Sequence, residues 1–406
     1  MKNLIIGQSG GPTSVMNSSL YGAVMEAFNQ DEIGNIYGME NGIQGLLKGK
    51  IIDIVDKIFF GGGNLELLMT TPGAYLGTSK YKLSDDFNHP DYEKIFKILE
   101  EYEIGYFLYI GGNHSMDTVE KLNRYAKMHD IDVIFVGIPK TIDNNMIETD
   151  HVPGYGSAAK YIANTVREIV TDACVYDVSS VTIVELMGRM SGWLTATSAL
   201  ARKFKGDNPA LIYLPEAVFD PEEFLKDVER CFEDKTQVVV CVSEGIHDKD
   251  GKLISEYGGE AEYDILGQRL ISGCAKYLEK LVKERFHVKT RAIEMNVPQR
   301  CSVSMMSKTD QQEAVMCGTY ATKLAIRRMT GKVVSLVRVM EDPYLASCGM
   351  ENVEDVANQS KRFPVEWISE NGCDVTEDFL KYITPLIQGY IVFPMSNEGI
   401  PTFLYR

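Results

Sequence analysis

The chain has 406 residues, 45% of them apolar, and its 41 basic and 57 acidic side chains leave a net charge of −16. That length predicts two domains, and the acidic balance argues against nucleic acid and anionic membranes as partners. No apolar run approaches the length of a membrane span, and the N-terminus MKNLIIGQSGG reads as a buried strand entering a glycine turn, not as a signal peptide. The eight cysteines are scattered, with no C-x-x-C pair and no Cys/His cluster, which fits reduced thiols in a cytosol and argues against a structural zinc.

In chain order the runs KNLIIG, GYFLYI, DVIFVGI, SVTIVEL, ALIYL, TQVVVCV and VVSLVRV read as strands buried on both faces. Helical patterns such as DYEKIFKILEEYE, AAKYIANTVREIV and PEEFLKDVERCF lie between them. This alternation predicts an α/β fold with parallel sheets. No repeat or low-complexity linker divides the chain, so it is expected to cross between its domains more than once. From about Asp342 strand runs thin out, which predicts an extension wrapped on the surface.

Open α/β sheets bind ligands at the carboxyl ends of their strands, and four such places carry chemistry. The first is GQSGGPTSVMN, where Gly10 and Gly11 let the backbone approach an anion and Pro12 suits the first turn of a helix; a plain tight turn fits equally well. The second is GGNHSMDT, a matching glycine turn in which Asn113 and His114 would face a ligand, with Asp117 further along. His114 there could be a metal ligand, a proton donor or a steric block. The third, GIPKTIDNNM, sets Lys140, Thr141 and Asp143 on one loop: a cation to neutralise a transferring phosphoryl group and a carboxylate to accept a hydroxyl proton. The fourth, VELMGRMSGWL, turns at Gly188 and predicts Arg189 at the start of a helix, suited to an oxyanion. Glu244 ends a later strand, and Arg291 and Arg300 flank TRAIEMNVPQR, again suggesting strand-end cations.

With these residues in view, the sequence resembles the phosphofructokinases, in the branch that uses inorganic pyrophosphate, from SGGPTSVMN to FLKYITPLIQG; PKTIDNN and MGRMSGW are its most specific matches. The resemblance implies two doubly wound, Rossmann-like parallel-sheet domains facing across a cleft. A donor domain would span 1–154 plus about 298–335, and a fructose 6-phosphate domain 155–297 plus about 336–406. Asp143 would take the proton from the sugar 1-hydroxyl, with Lys140 offsetting charge on the transferred group. Gly11, Lys80, His114 and Ser115 would contact the donor. Thr141, Met187, Gly188, Arg189, Glu244 and Arg300 would contact the sugar phosphate, and Arg291 would reach a neighbouring subunit. The implied cofactor is Mg2+, with Asn113 at the metal-ligand position. The implied partners are fructose 6-phosphate and pyrophosphate, in a cytoplasmic homodimer or homotetramer.

Four donor-side residues depart from the pattern. Asn113 and His114 stand where the family has acidic residues, Asn145 replaces the last aspartate of TIDND, and Lys80 replaces an arginine and loses its planar fork. His114 would still obstruct the α-phosphate of ATP, by bulk instead of charge, and Lys140 also marks pyrophosphate users. An ATP-dependent enzyme of the same fold and a non-catalytic sugar-phosphate-binding paralogue are the alternatives, and sedoheptulose 7-phosphate is an alternative acceptor.

Overall fold

In a computed structural model, which describes residues 1–60, 64–258 and 273–405, all seven apolar runs form strands. The strands among the described residues are β1 (Lys2–Gln8), β2 (Ile33–Met39), β3 (Ile51–Asp53), β4 (Ile104–Gly111), β5 (Ile134–Pro139), β6 (Ser180–Leu186), β7 (Leu211–Tyr213), β8 (Gln237–Ser243), β9 (Lys289–Glu294), β10 (Lys332–Glu341) and β11 (Tyr344–Asn352). Those without a continuous apolar run have a physical reason to lack one. β3, β9 and β11 are sheet edges, and β2 is interrupted by two glycines. Among the described residues no helix is long and apolar enough to cross a membrane.

Contacts divide the chain into two compact units, Met1–Ser157 with Arg300–Lys361 and Gln388–Arg406, and Ala158–Gln299 with Arg362–Ile387. The first holds a seven-stranded sheet in the order β11-β10-β5-β4-β1-β2-β3, parallel except for the antiparallel edge strands β3 and β11. Successive side chains of its central strands point to opposite faces, and both faces are covered. Leu4, Ile6, Leu108 and Val136 pack with helices Met16–Phe28 and Lys308–Ile326, while Ile5, Phe107 and Phe135 pack with Pro90–Glu101 and Asn113–Met128. The first helix pair touches backbone to backbone: a methyl on Gly22 would lie 2.1 Å from the Val315 carbonyl oxygen, and one on Gly318 2.0 Å from that of Ser19.

The second unit holds the all-parallel sheet β7-β8-β6-β9. Its core sets Val181, Ile183, Val238, Val240 and Val242 against apolar residues of helices Pro221–Asp234 and Cys274–Phe286. Fully burying each such side chain stabilises the fold by about 1.5–3 kcal/mol.

The C-terminal part departs from the sequence expectation. Residues 336–361 and 388–406 belong to the first unit, not the second. β10 continues unbroken past residue 335 to Glu341, and β11 pairs with it along its length instead of forming a turn-rich surface wrap. Further on, Phe393 and Phe403 pack against Val15 and Met306, and the Leu404 N–H donates to Thr71 Oγ1 at 2.8 Å. Between them, Arg362–Ile387 joins the second unit, where Phe363, Trp367, Phe379 and Tyr382 surround Trp193.

One buried charge cluster in the first unit has no counterpart in the sequence reading. His151, 1% exposed, sits with Nδ1 2.7 Å from Asp150 and Nε2 2.7 Å from Glu313. Arg338 pairs with Asp150 at 3.0 Å, and the Tyr344 hydroxyl donates to Glu313 at 2.6 Å. Burial opposes the His151 charge, yet its two carboxylate neighbours lift its pKa from 6.5 to about 9. A histidine with a raised folded pKa contributes stability in full below its unfolded pKa and loses it as pH rises through the folded value. The stability advantage of the wild type over His151→Gln is therefore expected to shrink by about 3 kcal/mol between about pH 6 and pH 10, measured by urea unfolding. A pH-independent difference would show that His151 is neutral in the fold.

Candidate functional site

The sheet order of the first unit creates its site. β2 lies on one side of β1 and β4 on the other, so the chain reverses direction across the sheet between β1 and β4. Such a switch point leaves a crevice beyond the strand ends. Both glycine turns open there, and β5 beside β4 delivers Lys140 to the same edge. The Ser9 N–H bonds to the Ile110 carbonyl at 2.9 Å, and the Lys140 N–H bonds to that of Gly111 at 3.0 Å, so three loops are stitched together by their backbones.

The two glycine turns differ. Pro12 does not open a helix; the helix of the first loop begins only at Met16, after Thr13 has bridged to Gly73. In the second loop Gly112 is itself the N-cap of Asn113–Met128, so the free first-turn N–H groups and the positive end of the helix dipole lie at the crevice. Ser115 is buried against Gly111, where a methyl would lie 2.0 Å from its hydroxyl oxygen. His114 is exposed on that first turn. Asp117 is not at the crevice; Lys121 pairs with it at 2.9 Å and Asn358 donates to it at 2.7 Å.

Lys140 is 3% exposed, and its ammonium donates to the Gly11 carbonyl at 2.6 Å. Burial lowers its pKa to about 8; the Arg300 charge pushes the same way and Asp143 opposes. Burial likewise raises the half-buried Asp143, against the pull of Lys140 and Arg300. Arg300 reaches this group directly, since its Nη1 lies 3.3 Å from where a Gly11 methyl would be. Thr141 faces the loop itself, its hydroxyl accepting the Asp143 N–H at 3.1 Å. Lys80 is exposed, and Asn145 is held through its carbonyl, which accepts the Lys361 N–H at 2.9 Å.

Four buried polar atoms around these loops find no hydrogen-bond partner among the described residues: Thr13 Oγ1, Ser79 Oγ, Asn113 Oδ1 and Arg300 Nε. Each such group costs about 1–3 kcal/mol unless a ligand or water satisfies it, so a cluster of them marks a site built for a polar occupant. Among the described residues no group of three or more His, Cys, Asp or Glu side chains could hold a metal ion.

In the second unit β6 and β8 are neighbours, which brings the loops after Leu186 and Ser243 together. Glu244 accepts the Gly188 N–H at 3.3 Å, Ser243 Oγ donates to the Gly188 carbonyl at 2.5 Å, and the Met187 N–H donates to Gln299 at 3.2 Å. Arg189 does not start a helix; it is exposed in the turn, four positions before the helix beginning at Trp193. Arg291 is not at a strand end either. It lies within edge strand β9, exposed, 3.3 Å from Asp172. Glu216, which the sequence reading passes over, accepts the N–H groups of Gly192 at 3.0 Å and Phe363 at 2.9 Å and so fixes the far end of the MGRMSG loop. It follows β7 by three residues, so inspecting that strand end would have found it.

The chain is similar to known proteins over nearly its whole length. The family model described as PFK: Phosphofructokinase matches residues 3–325. The pyrophosphate–fructose 6-phosphate 1-phosphotransferase of Rhodospirillum rubrum is 36% identical over 95% of this chain and 94% of its own. The protein of the same name from Xanthomonas campestris is 35% identical over 99% of this chain and 95% of its own. The crystal structure of a pyrophosphate-dependent phosphofructokinase from Nitrosospira multiformis superposes with a TM-score of 0.89 at 32% identity, covering 99% of this chain and 96% of that one.

Gly188 adopts φ +140°, and a methyl there would lie 2.6 Å from the Ser191 carbonyl oxygen. Gly188→Ala is expected to destabilise the protein by about 1–3 kcal/mol in urea unfolding. Wild-type stability in that variant would mean the turn is not held in this conformation.

Proposed function

The chain belongs to the phosphofructokinase family, and from that premise we propose that it moves a phosphoryl group from inorganic pyrophosphate to the 1-hydroxyl of fructose 6-phosphate, reversibly, giving fructose 1,6-bisphosphate and phosphate. The observation that carries the reading is the buried Lys140 ammonium beside Asp143, at a strand end between two glycine loops.

In this reading Asp143 accepts the proton of the attacking hydroxyl, and its raised pKa makes it a stronger base than an ordinary carboxylate. Lys140 offsets charge on the phosphoryl group in flight, in surroundings poor in water where such charges act strongly, and Arg300, a sugar-phosphate contact in this reading, stands near enough to add to that field. The backbone at Gly11 and the helix start at Asn113–Ser115 hold the donor phosphates, with Lys80 approaching from solvent. Bulk at His114 favours a donor without a nucleoside, and the relatives' names point the same way. Thr141, Met187, Gly188, Arg189 and Glu244 bind the sugar phosphate, and the exposed Arg291 serves a neighbouring copy in a homodimer or homotetramer. The cytoplasm is the proposed location.

Mg2+ fits as an ion carried on the pyrophosphate. Asn113 offers a neutral amide oxygen without a partner among the described residues, and magnesium accepts such oxygens when phosphate oxygens and waters complete its shell. The ion would supply further charge neutralisation there.

Side-by-side assays with fructose 6-phosphate test the donor: turnover with pyrophosphate and none with ATP is expected, and ATP-driven turnover overturns the reading. Asp143→Asn is expected to remove nearly all turnover while fructose 6-phosphate still binds, and Lys140→Met to lower kcat by about 10²–10³. The pH profile of kcat/KM is expected to be a bell. Its acid limb lies above the usual carboxylate range because Asp143 must be ionised, and its alkaline limb lies near 8 because Lys140 must be charged. A flat profile through pH 8 to 9 would remove the lysine from this role.

A further inference from the structure

The turn that carries Asp143 does not hold itself. Its floor is the segment 151–157. The Thr141 N–H donates to the Pro153 carbonyl at 3.2 Å, Thr141 bridges to Gly154, and Asn144 Oδ1 accepts the Val152 N–H at 3.1 Å. Asn144 itself sits at φ +50°, a conformation that needs such support.

That floor is in turn gripped by the first two turns of the helix Lys308–Ile326. Buried Asp310 accepts the Gly154 N–H at 2.8 Å and the Ser157 N–H at 2.9 Å. Three residues on, Glu313 receives His151 Nε2 at 2.7 Å on one oxygen and the Tyr344 hydroxyl at 2.6 Å on the other. Both ring nitrogens of His151 face carboxylate oxygens, which only an imidazolium satisfies. The gripping helix is anchored through the close Gly22 and Gly318 contacts to the helix that follows the first glycine loop. A rigid path therefore runs from the donor loop to the turn of Asp143 without passing through a ligand.

We infer that Asp310 and Glu313, acting through His151 and the 151–157 segment, are positioning residues that set where the Asp143 carboxylate stands. None of them belongs to the proposed ligand contacts. The inference rests on the phosphoryl-transfer reading for its catalytic consequence but not for its structural one. A carboxylate displaced by about 1 Å loses rate far more than binding. The latch therefore acts chiefly on kcat, and the sugar-phosphate loops at Gly188 and Glu244 are joined by hydrogen bonds that do not involve it.

Glu313→Gln and the milder Tyr344→Phe test this in the full chain, by steady-state kinetics and by hydrogen–deuterium exchange over residues 140–157. Expected are a 10- to 100-fold lower kcat for Glu313→Gln with both KM values within about twofold, a smaller loss of kcat for Tyr344→Phe, and exchange at least about tenfold faster at the Thr141 and Gly154 amides. If Glu313→Gln does not fold, Tyr344→Phe carries the test alone. Lower melting temperatures with unchanged kcat and unchanged exchange at these amides would make the cluster merely structural and overturn the inference. So would raised KM values with kcat intact. If the wild-type protein turns over neither with pyrophosphate nor with ATP, the proposed function fails while the exchange experiment still decides whether the latch holds the turn.

Discussion

A lysine ammonium withdrawn from water is the constraint around which the first unit is arranged. Desolvating a cation is costly, and the Lys140 charge is held by the Gly11 carbonyl and Asp143 against both burial and the neighbouring Arg300 charge. Each partner comes from a different loop. The loops carrying Gly11, Lys140 with Asp143, and Arg300 are therefore tied to one buried charge, while burial raises the basicity of Asp143 against the pull of both cations.

The sheet supplies what the charges need. Parallel strands packed against different helices on their two faces cannot shift in register without unseating both packings, so β1, β4 and β5 end at fixed heights. The reversal between β1 and β4 then opens a crevice where backbone N–H groups, a helix start and unpartnered polar atoms converge. The second unit repeats the device with fewer charges. Glu244 and Ser243 pin the Gly188 peptide from both its N–H and its carbonyl, and Glu216 holds the loop's far end.

The donor-side substitutions look different once placed. Asn113 sets a neutral amide oxygen at a helix start, where the dipole favours anions, so in the proposed reading attraction for a phosphate does not depend on a carboxylate there. His114 is exposed and adds bulk without burying a charge. Asn145 is tied through its backbone, so its side chain is not what holds the loop together.

The sequence by itself determined the central strands, the alternation that makes the sheets parallel, and the strand-end loops carrying Gly11, Lys140, Asp143 and Gly188. These signals are local: an apolar run, a glycine pair, a charged residue a few positions beyond. It did not reveal the edge strands β3, β9 and β11, whose residues are mostly half-buried or exposed, so no continuous apolar run marks them. Nor did it reveal that Pro12 precedes the helix by several residues, or that residues 336–361 return to the first sheet. Only the tertiary structure decided that Arg300 joins Lys140, and that His151 meets Glu313 across 162 positions of chain. A buried ion pair between distant residues has no period and no spacing to read. It exists because the helix Lys308–Ile326 packs on the segment that follows the Asp143 turn and brings its two halves together in a place that water cannot enter.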